Sequence, residues 1–518
     1  MRKKAGLRPA FFYAISLSLF SMSAAPLLSI RDLRIHAGTT QLLHLPELLL
    51  NPGELHGVIG ESGSGKSLTL FVIMGLLSPK LAISGSVIFQ GQELTQISEK
   101  IWLGIRGKAM GMVFQEPMSA LNPQMTCGKQ LLESALIHQP NKEKAGQQVS
   151  KKLEQLGLGE LKERIMQAYP HQLSGGQRQR VMIAMACVHE PPLILADEPT
   201  TALDSVARAQ VMDDLQRVCR EQGSALLWVS HELDLVKQYA ETVTVLRKGE
   251  RIDQGNIKTV LGAEAQPYVK ELLAAMPHGK WVDKLQNQEP VLTLSDVSKI
   301  YGKGSYQVSA LNGFSETLMP GETLSVVGLS GSGKSTLAKL LVALETPTKG
   351  KVLLNGGEIP KRPPTGIQMV FQDPYASLNP NFTAMEAVQE VVEFVESNAK
   401  NSQDSASIAM GLLQEVGFDV RLSHAYPHQM SGGQRQRLCI ARALASKPSV
   451  LILDEAVAAL DPLVQKQVLD LLIALQKERG LAYLFITHNL EVAQAISHRI
   501  VFLEKGAKKP LPADWVRA

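Results

Sequence analysis

Gly60-Glu61-Ser62-Gly63-Ser64-Gly65-Lys66-Ser67 stands near the start of the chain and returns as Gly328-Leu329-Ser330-Gly331-Ser332-Gly333-Lys334-Ser335, followed by Thr336. Apolar pairs lead into both copies, Val58-Ile59 and Val326-Val327, and apolar stretches at Leu68–Leu77 and Leu337–Leu344 follow them. A buried strand, a glycine-rich turn and then a helix predict an α/β fold with a mostly parallel sheet. The glycines let successive backbone N–H groups curl inward, and the next helix aims its positive end at the same point. The lysine adds a cation and the serine a metal ligand, so the segment suits a chain of phosphates. The bland alternative is a glycine turn that happens to precede a lysine. Two copies in register argue against it.

The duplication runs well beyond this segment. Phe114-Gln115-Glu116-Pro117 recurs as Phe371-Gln372-Asp373-Pro374. Ser174-Gly175-Gly176-Gln177 recurs as Ser431-Gly432-Gly433-Gln434, each after a Tyr-Pro-His-Gln. Asp197-Glu198 pairs with Asp454-Glu455, and Ser230-His231 with Thr487-His488. From Gln115 onward the two copies keep one constant offset, so a single short deletion in copy two precedes Gln372. Two copies of one domain are therefore joined head to tail. Residues 27–278 are expected to form the first, 279–290 a linker where apolar periodicity lapses, and 291–518 the second. Between each glutamine and its Ser-Gly-Gly-Gln lies an equally spaced stretch reading as a small helical subdomain.

Asp197 and Asp454 end apolar strands, where a carboxylate is placed to hold Mg²⁺. Glu198 and Glu455 follow directly and suit a general base that polarises water. An Asp-Glu pair is more often merely solvated, but its position after a buried strand, twice, reverses that preference. Ser-Gly-Gly-Gln reads as a helix start open to anions. His231 and His488 follow the apolar strands Ala225–Val229 and Ala482–Ile486, placed to meet a terminal phosphate. A lone histidine there would ordinarily be a satisfied strand end; duplication shifts the reading toward function.

Composition narrows the class. Of 518 residues, 45% are hydrophobic and 20% charged, as in an ordinary globular protein. A net charge of +4, from 53 basic and 49 acidic residues, is too slight to draw nucleic acid by bulk electrostatics. Cys127, Cys187, Cys219 and Cys439 are scattered singly, which argues against disulfide, zinc and iron–sulfur frameworks. Residues 1–26 read as an extension. Arg2, Lys3 and Lys4 precede an uncharged stretch whose length suits a signal peptide or a weak anchor. Its serines and Pro26 weaken a spanning reading, Leu27–Ile35 is needed as the first strand, and a start at Met22 is a third possibility.

The ordered set of glycine loop, glutamine, Ser-Gly-Gly-Gln, Asp-Glu, Ala202-Leu203-Asp204 or Ala459-Leu460-Asp461, and histidine resembles an ATP-binding-cassette transporter ATPase. The resemblance covers the chain from about Leu27 to about Gly506. It implies two P-loop NTPase domains, each with a parallel core, an antiparallel β subdomain and a helical subdomain, packed head to tail with ATP and Mg²⁺ between them. Site one would combine Lys66, Ser67, Gln115, Asp197, Glu198 and His231 with Ser431 and Gly433. Site two would combine Lys334, Ser335, Gln372, Asp454, Glu455 and His488 with Ser174 and Gly176. Ser67, Gln115 and Asp197, or Ser335, Gln372 and Asp454, would ligate the metal. The Ala-Leu-Asp loops would couple the sites.

Phe-Gln-Glu/Asp-Pro, Tyr-Pro-His-Gln and Gln266-Pro-Tyr-Val-Lys-Glu-Leu-Leu273 resemble ATPases of dipeptide, oligopeptide and nickel importers. Leu453-Asp-Glu-Ala-Val457 and Leu340–Pro347 lean toward nickel or a metal chelate as cargo. The resemblance implies two transmembrane permeases and a solute-binding protein as partners, and a peripheral place on the cytoplasmic face of the inner membrane. Relatives stack an aromatic residue on adenine; Tyr301 matches in copy two, but Ala37, beside His36, stands in copy one. The competing class is a soluble tandem ATPase acting on ribosomes or DNA. It would call for a long charged linker or zinc cysteines, and 5% aromatic content offers no stacking platform.

Overall fold

The computed structural model describes residues 25–201, 203–277, 288–302, 307–359, 366–395, 402–458 and 460–512. Residues 1–24 of the expected extension, most of the expected linker, and Ala202 and Ala459 lie outside the described residues. Among the described residues no helix is long and apolar enough to cross a membrane.

The first half supplies β1 (Leu28–Ala37), β2 (Thr40–Leu50), β3 (Leu55–Gly60), β4 (Ala82–Phe89) and β5 (Gln92–Glu93). It continues with β6 (Met110–Val113), β7 (Leu193–Asp197), β8 (Ala225–Val229), β9 (Thr242–Arg247) and β10 (Glu250–Asn256). They form one sheet in the order β5-β4-β1-β2-β10-β9-β3-β8-β7-β6. From β9 to β6 every pairing is parallel, with β3 between β9 and β8. From β5 to β2 every pairing is antiparallel. A single bridge, Glu250 to His44, joins the two regions.

The second half repeats the plan with β11 (Leu292–Tyr301), β12 (Val308–Leu318), β13 (Thr323–Val327), β14 (Lys349–Leu354) and β15 (Gly357–Glu358). Then come β16 (Ile367–Val370), β17 (Val450–Asp454), β18 (Ala482–Thr487), β19 (Arg499–Glu504) and β20 (Ala507–Lys509). Here the antiparallel sheet β12-β11-β14-β15 is separate from the sheet β16-β17-β18-β13-β19-β20. The difference is slight. The bond from His44 N–H to Gly249 O at 2.6 Å has its counterpart in Asn312 N–H to Gly506 O at 2.8 Å.

The central strands are near-continuous apolar runs because both of their faces are covered. Ile194, Ala196, Leu226 and Trp228 pack toward the helical side, while Leu193, Leu195, Leu227 and Val229 pack toward the antiparallel side. Leu451, Leu453, Tyr483 and Phe485 alternate with Val450, Ile452, Leu484 and Ile486 in the same way. The helical inserts are Cys127–Leu136, Lys142–Gln155 and Lys162–Gln167 in half one, and Ala384–Val395 and Ser402–Glu415 in half two.

Two expectations shift. The helices after the glycine turns are Lys66–Ile73 and Lys334–Leu341, because the lysine itself opens each helix. Gly75 (φ 62) and Ala343 (φ 54) turn left-handed just beyond their ends, which stops them short of Leu77 and Leu344. The segment that copy two lacks includes helix Glu99–Ile105, whose buried Trp102 covers Gly75; a Cβ there would lie 2.4 Å from the ring.

Trp228 is 1% exposed at the centre of the first half. Trp228→Ala is expected to cost about 3–5 kcal/mol, read as a lower urea midpoint. An unchanged midpoint would mean that this sheet does not carry the half's stability.

Candidate active site

Each glycine turn is shaped by close backbone approach. A Cβ on Gly60 would lie 2.1 Å from Leu246 O, and one on Gly328 2.3 Å from Leu503 O. Gly65 (φ 96) and Gly333 (φ 109) hold the left-handed turn that opens each helix, and neither helix start has a side-chain cap. The first-turn N–H groups are therefore left for an anion. The Lys66 ammonium donates to Gly60 O and Glu61 O, both at 2.8 Å. Lys334 does the same to Gly328 O at 2.6 Å and Leu329 O at 2.9 Å. Burial pulls both ammonium groups below their ordinary value, while the surrounding carboxylates push back.

At the ends of β7 and β17 the carboxylates converge on these loops. Ser67 Oγ donates to Asp197 Oδ1 at 2.9 Å. Burial raises the Asp197 carboxyl, and it pushes Asp454 up to about 6. This hydroxyl and carboxylate set is all oxygen, the chemistry that fits Mg²⁺. Gln115 Nε2 donates to Glu198 Oε2 at 2.9 Å, and Gln372 Nε2 to Glu455 Oε2 at 2.8 Å. His231 Nδ1 lies 3.2 Å from Glu198 Oε2, and His488 Nδ1 lies 3.2 Å from Glu455 Oε1. Burial works against charge on Glu198, but His231, Lys66 and Thr201 outweigh it and hold the carboxyl at about 2. Burial likewise opposes charge on His231, yet Glu198 and Glu232 raise it above its ordinary value.

Glu198 and Glu455 carry a feature invisible in the sequence: φ 44 and φ 48, the left-handed region, in residues other than glycine. Such backbone costs about 1–3 kcal/mol and persists where its surroundings over-determine it. Glu198 N–H donates to Val229 O at 3.1 Å, and Glu455 N–H to Ile486 O at 2.9 Å. These bonds tie the strained residue to the strand that delivers the histidine.

Ser174 and Ser431 do start helices, Gly175–Cys187 and Gly432–Leu444. Their side chains close capping boxes with Gln177 and Gln434. Each serine hydroxyl accepts from the glutamine N–H at 3.3 Å. Here the serine serves its own helix. A Cβ on Gly175 would lie 3.2 Å from Leu203, which brings the helix start beside the next residue, Asp204.

Asp204 joins the halves. Its Oδ1 accepts from Ala207 N–H at 2.9 Å and caps helix Ser205–Gln222. Its Oδ2 accepts from Ser330 N–H at 3.2 Å, in the glycine turn of the other half. Asp461, the cap of helix Pro462–Arg479, bears on Lys66 in the reciprocal sense. A cavity of about 950 Å³ follows this seam, with Lys66, Glu198 and His231 on one wall and Glu455, Asp461 and His488 on the other. Ala37 and Tyr301 end β1 and β11 at equivalent places, Ala37 opposite Thr40 and Tyr301 opposite Val308. The Lys299 ammonium stands 5.1 Å from the Tyr301 ring.

Two phosphate turns, two carboxylate pairs and one shared seam define a tandem nucleoside triphosphatase of the P-loop class. The sequence profile of the ABC transporter family matches residues 43–201 and 311–458. The peptidoglycan transport ATP-binding protein YejF of Agrobacterium fabrum is 39% identical over 503 residues, spanning 93% of this chain and 91% of its own. The uncharacterized ABC transporter ATP-binding protein YejF of Escherichia coli K12 is 39% identical over 482 residues, 89% of each chain. The glutathione import ATP-binding protein GsiA of Escherichia coli K12 is 37% identical over 505 residues, 88% of this chain and 81% of its own. The chain belongs to the ABC transporter family, as a fused pair of its ATP-hydrolysing domains.

Replacing both Glu198 and Glu455 with Gln is expected to lower ATP turnover at least about a hundredfold while ATP still binds. Turnover near the starting rate would remove both carboxylates from the chemistry. With Ala37 ending β1 where Tyr301 ends β11, Lys334→Ala, which spares site one, should leave ATP binding about tenfold weaker than Lys66→Ala does. Equal affinities would refute that asymmetry.

Proposed function

We propose that this chain is the energising subunit of an ABC importer for peptide or peptide-like cargo. Two permease chains and a solute-binding protein complete the machine, and the chain sits peripherally on the cytoplasmic face of the inner membrane. The observation that carries the reading is the seam, where Asp204 grips the glycine turn of the other half. Two nucleotide sites sharing one seam open and close together, and permeases ride that motion.

In this reading residues 27–278 and 291–518 are the two cassettes. Lys66 and Lys334 bind the β- and γ-phosphates, with the backbone N–H groups of Gly60–Ser67 and Gly328–Thr336 around them. Glu198 and Glu455 take the proton from the attacking water, oriented by Gln115, Gln372, His231 and His488. Ser67, Gln115 and Asp197, and their counterparts Ser335, Gln372 and Asp454, would hold Mg²⁺, which neutralises phosphate charge. On closure Ser174–Gln177 and Ser431–Gln434 meet the γ-phosphate across the seam, each serine hydroxyl keeping its capping bond as acceptor while donating its own proton to the phosphate. Tyr301 stacks on adenine at site two.

The relatives named for peptidoglycan and glutathione transport favour a peptide-like cargo. The nickel expectation finds no support in those names, and the ribosome or DNA alternative is not favoured by them. Deleting the gene should abolish uptake of a labelled dipeptide or of glutathione, restored by the wild-type chain but not by the Glu198→Gln/Glu455→Gln variant. Loss of Ni²⁺ uptake instead would reassign the cargo. Unchanged uptake of all three would overturn the importer reading.

A further inference from the structure

The two halves differ in charge where the seam runs past the catalytic glutamates. Arg208 lies one turn along helix Ser205–Gln222 from Asp204, its N–H donating to Asp204 O at 2.9 Å. Residues four apart share a helix face, so Arg208 follows Asp204 toward the other half. It lines the seam cavity together with Glu455 and His488 of half two. Its guanidinium is held by Glu232 Oε2, and Thr200 Oγ1 donates to Glu232 Oε1 at 3.2 Å. Both ends of this ion pair are largely buried, 16% and 17% exposed.

The repeat makes the contrast plain. Gln465 stands in half two where Arg208 stands in half one, Asn489 where Glu232 stands, and Val457 where Thr200 stands. Gln465 Nε2 donates to Val457 O at 3.1 Å. Site one therefore receives a neutral amide from the opposite half, and site two receives a cation.

We propose that Arg208 is a positioning residue acting in trans on the second nucleotide site, steering Glu455 and making the two sites hydrolyse ATP unequally. The proposal rests on Glu198 and Glu455 being the bases of the two sites. Glu455 is held by Gln372 and His488 of its own half, and Arg208 lines the same cavity from the other half. Asp454 bears on the same centre, and Asp213, Asp234, Asp461 and Glu491 line the cavity around it. The partners of Glu198, namely Gln115, Thr201 and His231, all belong to its own half. Arg208 acts by presenting its charge to the cavity that it and Glu455 line from opposite halves.

The test uses the full chain with one site silenced at a time. In a Glu198→Gln background, where site two turns over, Arg208→Gln should lower kcat about fivefold with KM unchanged. Arg208→Lys, which keeps the charge, should restore most of the rate. In a Glu455→Gln background the same change should cost less than about twofold. The double variant Arg208→Gln/Glu232→Asn copies the second half's own residues, leaves no unpaired buried carboxylate, and should give the same split. Equal losses in both backgrounds, or no loss in either, would overturn the proposal. A silenced parent with no turnover at all would deny independent sites and overturn it too, leaving the hydrolytic reading intact. Parents that both kept the full wild-type rate would instead overturn the reading of Glu198 and Glu455 as bases.

Discussion

One side chain from each half set against the phosphate loop of the other is the constraint on which the rest of this structure depends. Asp204 uses both oxygens, one to cap its own helix and one to hold Ser330 N–H across the seam. A shift of the opposing glycine turn must therefore pull on the start of helix Ser205–Gln222. The helix start at Gly175 packs against Leu203 and must move with it. Asp461 makes the reciprocal link by charge on Lys66. In the proposed function these links would let nucleotide at one site bias the other.

The sheet makes that constraint effective. Central strands buried on both faces give a stiff support; two of them end on Asp197 and Asp454, and Glu198, Glu455, His231 and His488 follow at their C-terminal ends. Backbone strain reaches the site at Glu198 and Glu455, each held left-handed by a bond to the neighbouring strand. In the proposed function, pre-organisation of this kind costs stability and spares reorganisation when water is activated. In this structure each lysine is held by carbonyls of its own glycine turn, and each glutamine and histidine by Glu198 or Glu455 of its own half.

Much of this was legible in the sequence because duplication supplied an internal control. The glycine turns, the strand-end carboxylates and the histidines fell on the elements read for them, and strand Ala225–Val229 matched to the residue. Ser174 and Ser431 were read correctly as helix starts, but their capping boxes need coordinates to be seen. The helices at Lys66 and Lys334 ended early because a left-handed residue stops a helix whatever its apolar pattern. Positive φ at a glutamate leaves no compositional trace. The difference between Arg208 and Gln465 was present in the repeat, yet only the seam gives it meaning, since neither residue belongs to a recognised motif.

The most direct measurement is a structure of the Glu198→Gln/Glu455→Gln chain trapped with ATP and Mg²⁺. The account predicts two nucleotides in the seam, one between Lys66 and Ser431–Gln434 and the other between Lys334 and Ser174–Gln177. Nucleotide held wholly within single halves, with the seam open, would contradict it.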